Sequence, residues 1–378
     1  MTYRITGMGA TASVGQGVAD LFANLCAGRT GLADLRGMDL TRFEATQAYE
    51  IDDRPAPGVD VPRRATGLLV TAIAEALRDA GLTEDLSDVP VFVGTGLREL
   101  RSLELRWTNG IEFPAAELDF GPALRERFEA VHSYTVANAC AASLCALALG
   151  VDLLDAGGAH TVVVAGVDVL TASMHGLLQR VQPTAPDRVR PFDRDRAGVL
   201  MGDGAAAVVL RREDGGTGAA LGALRSVAVN CDAYHVTAPD PAGIATAIRD
   251  AHWRAGIKPQ QVDLVMAHGT GTALNDAAEA AALADVFGEH CGVPLVTAIK
   301  SMTGHTSGAS GLMSLVVAVQ AMREGVVPPT LGLANPAEDA SGFRFVRGEA
   351  ARAHINVAQI NAFGFGGINA VVIVEAVP

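Results

Sequence analysis

No stretch of the 378-residue sequence approaches the ~18–20 consecutive apolar residues that span a bilayer. The amino terminus, Met1-Thr2-Tyr3-Arg4-Ile5-Thr6-Gly7, runs straight into glycines without an apolar h-region, which argues for a cytoplasmic location and against secretion. Basic charge is scarce: 29 Lys and Arg face 42 Asp and Glu, a formal net charge of −13. A nucleic-acid partner needs a basic surface to displace counterions, and anionic lipid attracts the same kind of surface. Neither nucleic acid nor membrane is therefore expected as a partner. Charged residues make up 19% of the chain against 49% apolar ones, too few for a disordered polymer. The five cysteines (Cys26, Cys140, Cys145, Cys231 and Cys291) include no CxxC pair, so neither a disulfide framework nor a zinc cluster is expected. No metal site is read anywhere else.

Glycine, by contrast, is abundant: 42 residues, about 11% against an average near 7%, with no collagen period. The glycines gather where short β-branched runs meet longer periodic stretches, as tight turns require. Strands are expected over Val91–Val93, Thr161–Val164, Ala205–Leu210, Leu264–Ala267, Leu295–Ala298 and Ala370–Val374. A helix is expected over Gly67–Ala80, where Leu69, Ile73, Ala76 and Leu77 share one face. The strand candidates are apolar throughout rather than alternating, which implies burial on both faces. Alternation of such strands with helices predicts a layered α/β fold.

The chain also resembles itself. Ala80-Gly81-Leu82, Asp88 and Gly94-Thr95-Gly96 recur as Ala255-Gly256-Ile257, Asp263 and Gly269-Thr270-Gly271, each 175 residues later. Both copies read as a helix ended by glycine, a polar connection, a buried strand and a glycine turn. An internal duplication explains this better than chance in an Ala/Gly-rich sequence. Two halves, 1–215 and 216–378, are expected to meet in the polar Arg211–Gly218 stretch.

Four segments could carry chemistry. In Ala137-Asn138-Ala139-Cys140-Ala141-Ala142-Ser143, a cysteine stands where a β-prone run gives way to a helix; the helix start favours thiolate and a lowered pKa. Taken alone, a buried structural cysteine is the commoner outcome, and Cys145, inside the helix, is read that way. His268-Gly269-Thr270-Gly271-Thr272 follows a strand, where open α/β sheets bind ligands. Its bland alternative is a core histidine with threonines capping the next helix. Lys300-Ser301-Met302-Thr303-Gly304-His305 places a second histidine before an apolar helix, whose dipole favours the neutral ring. Asn361-Ala362-Phe363-Gly364-Phe365-Gly366-Gly367 reads as a glycine loop able to offer an N–H to an oxyanion, or as an ordinary turn with core phenylalanines. One Cys, two His and an amide-rich loop, each at a strand end, together point to nucleophilic acyl transfer.

In their order and spacing these motifs resemble the β-ketoacyl-acyl carrier protein synthases, the elongating type II branch of the thiolase superfamily, along nearly the whole chain. Further matching segments are Thr6-Gly7-Met8-Gly9, Arg190-Pro191-Phe192-Asp193, Gly202-Asp203-Gly204-Ala205 and Asp232-Ala233-Tyr234-His235. The resemblance implies a thiolase-like fold, two duplicated βα halves in a layered αβαβα architecture. It implies that Cys140 accepts an acyl group from a carrier protein's phosphopantetheine, which arrives as substrate, with no separate cofactor. His268 and His305 would then stabilise the enolate left when malonyl-carrier protein loses CO2. Lys300 would support His305, ion-paired with Glu279. Thr270 and Thr272 would bind pantetheine, and the Cys140 and Phe365 amides would form the oxyanion hole, with Phe365 gating the acyl pocket. Acyl carrier protein and malonyl-carrier protein are the implied partners, with a homodimer or ketosynthase heterodimer as the assembly.

The stretch from Gly94 to Cys140 departs from the family: it is about twenty residues shorter than usual. The charge-rich Arg98–Arg127 segment replaces the Pro/Asn-rich interface segment. Such trimming points toward polyketide or other secondary metabolism. A non-decarboxylating acyltransferase or cyclase needs only one base, so the second histidine speaks against it. A non-catalytic, tunnel-shaping partner typically lacks the nucleophile that is present here.

Overall fold

A computed structural model describes residues 2–56, 58–182, 184–212 and 219–377. Its main sheet is built from β1 (Tyr3–Ala12), β2 (Val91–Gly94), β3 (Ser133–Val136), β4 (Thr161–Asp168) and β5 (Gly204–Arg212), then β6 (Gly222–Cys231), β7 (Leu264–Met266), β8 (Leu295–Thr297), β9 (Val357–Gly364) and β10 (Ile368–Glu375). Their order across the sheet is β8-β7-β9-β10-β6-β1-β5-β4-β2-β3, with a two-residue strand at Arg344–Phe345 beyond β8. Read outward from the centre, one half is β1-β5-β4-β2-β3 and the other β6-β10-β9-β7-β8, the same order with each strand replaced by its counterpart. The directions match as well. β2 runs parallel to β3 and β4, as β7 does to β8 and β9, while β4–β5 and β9–β10 are antiparallel. The halves join where Tyr3, Arg4 and Ile5 pair antiparallel with Leu224, Ala223 and Gly222. The self-similar segments found in the sequence thus lie on β2 and β7. The junction expected at Arg211–Gly218 lies, from residue 213 onward, outside the described residues.

Helices α1 (Arg64–Asp79), α2 (Leu100–Asn109), α3 (Ala142–Asp155), α4 (Ala172–Val181), α5 (Pro241–Ala255), α6 (Ala273–Phe287) and α7 (Ser310–Glu324) complete the frame. The apolar stripe expected on α1 is fully buried at Leu69, Ile73, Ala76 and Leu77, against one face of β2, β4 and β5. On the other half, α5 and α6 cover the outer face of β7, β9 and β10. Between the two inner faces lie α3 and α7, in one apolar cluster with both sets of strands. This gives the layers helix, sheet, helix, sheet, helix. Every residue of α7 from Ser310 to Ala321 is buried, as a helix apolar on all sides must be. One glycine sets the depth of α3: a Cβ at Gly94 would stand 2.3 Å from the Ser143 nitrogen, so only glycine lets α3 begin against β2.

The charge-rich Arg98–Arg127 segment turns some of its charges inward, while Arg98, Arg106, Glu112, Arg125 and Arg127 stay exposed. Glu99, Arg101 and Glu104 are buried. Arg101 pairs with Asp60 at 2.7 Å and Glu104 at 2.9 Å, and Glu104 accepts the Ala172 and Ser173 N–H groups at 2.8 Å each, fixing the start of α4. Buried ions persist only with such partners.

Candidate active site

β3 ends at Val136, and the chain turns through Asn138 into a single 3-10 turn, Ala139–Ala141, before α3. Ala139 is left-handed (φ 46), a conformation costly for a residue with a Cβ and held by its surroundings. This turn presents Cys140, half-buried, at the mouth of a helix. Across from it, His305 sits in the loop between β8 and α7, where it forms a bridge with Met201. His305 Nε2 stands 3.0 Å from Cys140 Sγ. The Ser307 N–H donates to His305 Nδ1 at 3.2 Å, so in the neutral ring the proton is on Nε2 and points at the sulfur.

His268 follows β7. Its N–H and that of Gly269 donate to the two carboxylate oxygens of Glu279 at 2.8 Å each. Lys300 Nζ donates to the His268 carbonyl at 2.6 Å and lies 3.3 Å from its Nδ1. An ammonium beside Nδ1 places this ring's proton on Nε2 too. The His268 and His305 rings meet edge to face, centroids 5.4 Å apart. Burial, with the Lys300 charge second, holds both imidazoles well below their ordinary pKa. Two neutral rings therefore present N–H donors to one space.

Three expectations change here. Lys300 supports His268 rather than His305. It makes no ion pair with Glu279, whose oxygens are taken by the His268 and Gly269 amides and by the Asn361 side chain at 2.9 Å; Glu279 acts on Lys300 only through its field. Burial pushes Lys300 down to about 8, with the Glu279 carboxylate opposing. Third, the thiol is not lowered: burial pushes Cys140 up to about 11. Lys300 and the main-chain N–H groups of Cys140 and Phe365 act in the expected direction, but lost hydration outweighs them. These are the two amides that the family resemblance names for an oxyanion hole, and both point at the sulfur.

Thr270 and Thr272 both line the cavity, their hydroxyls 2.9 Å apart. Thr272 also caps α6 through the Asn275 N–H at 3.3 Å, so the capping role remains alongside the lining one. Phe365 is 41% exposed on the turn between β9 and β10, which Gly366 and Gly367 close with φ of 90 and 80. Cys145 is buried in α3, as read from the sequence. One residue escaped sequence reasoning. Asp168, at the end of β4, accepts from Thr95 Oγ1 (2.7 Å) and from the N–H groups of Gly96 (2.7 Å), Leu97 (2.8 Å) and Gly308 (2.6 Å). It ties the end of β2 to the turn that carries His305. Its only signal in the sequence is an acid closing an apolar strand.

Cys140, His268, His305, Thr270, Thr272 and Phe365 all line one cavity of about 580 Å³. Its apolar lining includes Met174, Leu178 and Val181 of α4 together with Val199 and Met201. Among the described residues, no cluster of His, Cys, Asp and Glu is arranged to hold a metal ion.

Residues 4–117 and 130–215 match the family described as beta-ketoacyl synthase, N-terminal domain, and residues 221–334 match beta-ketoacyl synthase, C-terminal domain. The chain belongs to the β-ketoacyl synthase family. It is 29% identical to 3-oxoacyl-[acyl-carrier-protein] synthase 2 of Coxiella burnetii, covering 99% of this chain and 98% of that protein. To the protein of the same name from Synechocystis it is 31% identical, over 97% of this chain and 95% of the relative. Among solved structures, the ishigamide ketosynthase/chain length factor superposes with a TM-score of 0.89 at 31% identity, covering 100% and 99% of the two chains. This β-ketoacyl synthase thus has the thiolase-like fold, is an acyl-transferring enzyme, and belongs with the enzymes of fatty-acid or polyketide biosynthesis. No helix among the described residues is long and apolar enough to cross a membrane.

Proposed function

We propose that this β-ketoacyl synthase performs a decarboxylative Claisen condensation between an acyl group on Cys140 and malonyl-carrier protein. The reading rests on one observation, a cysteine sulfur 3.0 Å from a neutral imidazole whose neighbour ring is pinned by a buried lysine, all in one cavity. In the first half-reaction the sulfur attacks an acyl thioester. The carbonyl oxygen becomes an oxyanion between the Cys140 and Phe365 amides, and the carrier's thiol leaves with the proton that Cys140 gives up. In the second, the bond between the malonyl Cα and its carboxylate breaks, CO2 departs, and the electron pair moves onto the thioester oxygen. The Nε2–H groups of His268 and His305 hold that enolate without themselves changing charge. The enolate carbon attacks the acyl-Cys140 carbonyl, the new C–C bond forms, and the Cys140 thiolate is expelled and takes up one proton from solvent.

The carrier protein enters this reading from the names of the relatives, and the cavity of about 580 Å³ that Thr270 and Thr272 line together with Cys140 is where its pantetheine arm would lie. No separate cofactor is needed, since each step uses groups of this chain and its thioester substrates. β3, the partly exposed last strand of the sheet, with Tyr134 at its surface, is the edge against which a second ketosynthase-type chain would pair. The likeness to a ketosynthase/chain length factor and the trimmed segment after Gly94 favour polyketide-type substrates. Intact-mass spectrometry tests the reading. Incubation with acyl- and malonyl-carrier proteins should acylate Cys140 and then yield an extended chain on the carrier with CO2 released. Acylation that leaves malonyl untouched would indicate an acyltransferase, and no acylation a non-catalytic partner.

A further inference from the structure

Behind His268 a line of polar side chains crosses an otherwise apolar interface. On α5, His252 is 4% exposed amid Ile244, Ile248, Ala251 and Ala255. Its Nε2 lies 2.7 Å from Gln359 Oε1 on β9. Gln359 Nε2 donates to Asn361 Oδ1 at 2.9 Å, and Asn361 Nδ2 donates to Glu279 Oε1 at 2.9 Å. All four side chains are buried. Gln359 and Asn361 alternate along β9, so they share the face turned to α5 and α6. We propose that His252 and Gln359 are positioning residues of this active site, which act through Asn361 to hold Glu279 as a carboxylate beneath the His268 turn.

The direction of the hydrogen bonds carries the argument. Glu279 accepts the His268 and Gly269 amides, and an ionised carboxylate can only accept, so Asn361 must present its amide nitrogen to it. Asn361 Oδ1 then faces Gln359, which must present its own nitrogen, leaving Gln359 Oε1 toward His252. His252 must answer with Nε2–H. Every member donates toward the carboxylate, and such aligned chains strengthen their terminal bond. Reversing both amides gives the only other consistent state, in which Glu279 is protonated and His252 Nε2 bears a lone pair. The tautomer of a histidine on α5 and the charge beneath His268 are therefore linked.

Stability alone does not account for the chain. His252 Nδ1 is buried without a hydrogen-bond partner, and two apolar side chains would fill this interface at lower desolvation cost. Other charges around the two ends are accounted for. Glu279 faces Lys300 from the short helix after β8 and Asp276 on its own helix, with Arg196 4.0 Å beyond Asp276. His252 packs edge-on against Phe287 of α6, while Arg225 on β6 turns to Glu375 and the Ala255 carbonyl. Burial pushes Glu279 up, and the Asn361 amide is the foremost of the groups that pull it back. Loss of the chain's donors therefore makes Glu279 easier to protonate, and activity should fail at higher pH on the acid side.

The inference rests on the condensing reading above, and the test separates the two. The variant replaces both partners, His252→Leu with Gln359→Leu, so that neither is left facing an unpaired polar group of the other; Asn361 Oδ1 loses its donor, and Tm is measured alongside to read that cost. Its KM for malonyl-carrier protein should stay near wild type. The acid limb of its decarboxylation rate should move up by about half to one pH unit, roughly a three- to tenfold loss at a fixed pH on that limb. His252→Gln alone, with Gln359 intact, supplies an N–H donor in place of the imidazole and should keep the limb near wild type. An unmoved pH profile in the double variant overturns the proposal, as does an equal loss at every pH accompanied by a lower Tm. Nitrogen NMR of labelled histidine in the wild-type enzyme adds a readout independent of turnover. A neutral Nε2–H tautomer for His252 at neutral pH supports the chain, and an Nδ1–H tautomer refutes it. Wild-type enzyme that releases no CO2 would defeat the condensing reading and leave the tautomer to decide this one.

Discussion

Asp168→Asn is the sharpest test of how the frame holds the site. The carboxylate takes four short hydrogen bonds, Thr95 and Leu97 on Oδ1, Gly96 and Gly308 on Oδ2, and is 1% exposed. Asparagine keeps the shape but supplies only one acceptor oxygen. Its less costly orientation keeps that oxygen on the Gly96 and Gly308 amides and turns the NH2 toward Thr95 Oγ1, which can accept, and toward the Leu97 N–H, which is stranded. Hydrogen bonds to a charged group contribute ~1.5–3 kcal/mol each, so the stranded amide costs about that much, and the loss of charge weakens the bond to Gly308 as well. Set against a usual total of ~5–15 kcal/mol, this is a large fraction. The chemistry should suffer with the stability. Gly308 follows Ser307, whose N–H fixes the His305 tautomer, so loosening this turn lets Nε2 leave the sulfur. Urea unfolding followed by circular dichroism gives the stability loss, and intact mass gives the rate of Cys140 acylation. A variant within about 1 kcal/mol of wild type that acylates Cys140 at the same rate would refute the reasoning.

His268→Ala and His305→Ala should each lower malonyl decarboxylation by about 10²–10³-fold while Cys140 is still acylated, as separate mass assays of the two half-reactions would show. The decarboxylation rate should fall as pH rises through about 8, where Lys300 loses the charge that fixes the His268 tautomer. Because both imidazoles are held below their ordinary pKa, their own protonation should cost nothing at neutral pH. Lys300→Met should erase the alkaline limb, and a wild-type profile flat across that region would contradict this assignment. Leu178 on α4 separates the main cavity from a small chamber lined by Ala45, His175 and Pro186. Leu178→Ala should admit longer acyl chains in a competition assay, at a stability cost of ~2–5 kcal/mol; an unchanged chain-length preference would place the limit elsewhere.

Six strands were legible because burial on both faces leaves unbroken apolar runs such as Val162–Val167, and α1 was legible because one face alone is buried; β1 and β6, interrupted by Arg4, Thr6, Arg225, Ser226 and Asn230, were not legible in this way. Cys140, His268 and His305 were legible as a set because each follows a strand within a run of small residues, although His305 lies beyond a further short helix, Lys300–Thr303. What the sequence hid is pairing across space. Nothing local says that Lys300 leans on His268 rather than on His305, five residues away in its own motif. Nor does the Glu99–Glu104 run announce that it folds inward, since Asp60, the Thr66 N–H and the start of α4, all distant in the chain, are among the partners of its charges. The raised Cys140 pKa was missed for a related reason: helix-start polarity is a local property, whereas desolvation depends on every neighbouring segment.

The duplication explains why the nucleophile and an oxyanion donor share one cavity. In each half a 3-10 turn, Ala139–Ala141 or Ser307–Ala309, precedes a central buried helix, and each turn opens on a left-handed residue, Ala139 or Ser307, both at φ 46. By position in the turn, the counterpart of Cys140 is Gly308. A Cβ at Gly308 would meet the Thr95 Cα at 2.6 Å, so a second nucleophile cannot be placed there. The two backbones nevertheless perform a common task. The Cys140 N–H points at its own sulfur, while the Gly308 N–H is spent on the carboxylate of Asp168. In the proposed mechanism one copy of the turn thus keeps its anion site open for substrate, and the other fills it with a side chain that braces the first. His305, on the approach to the filled turn, gains a fixed tautomer from Ser307 and reaches back to the open one. A rigid scaffold holds donors in place before charge develops, which is the condition under which such donors accelerate a reaction.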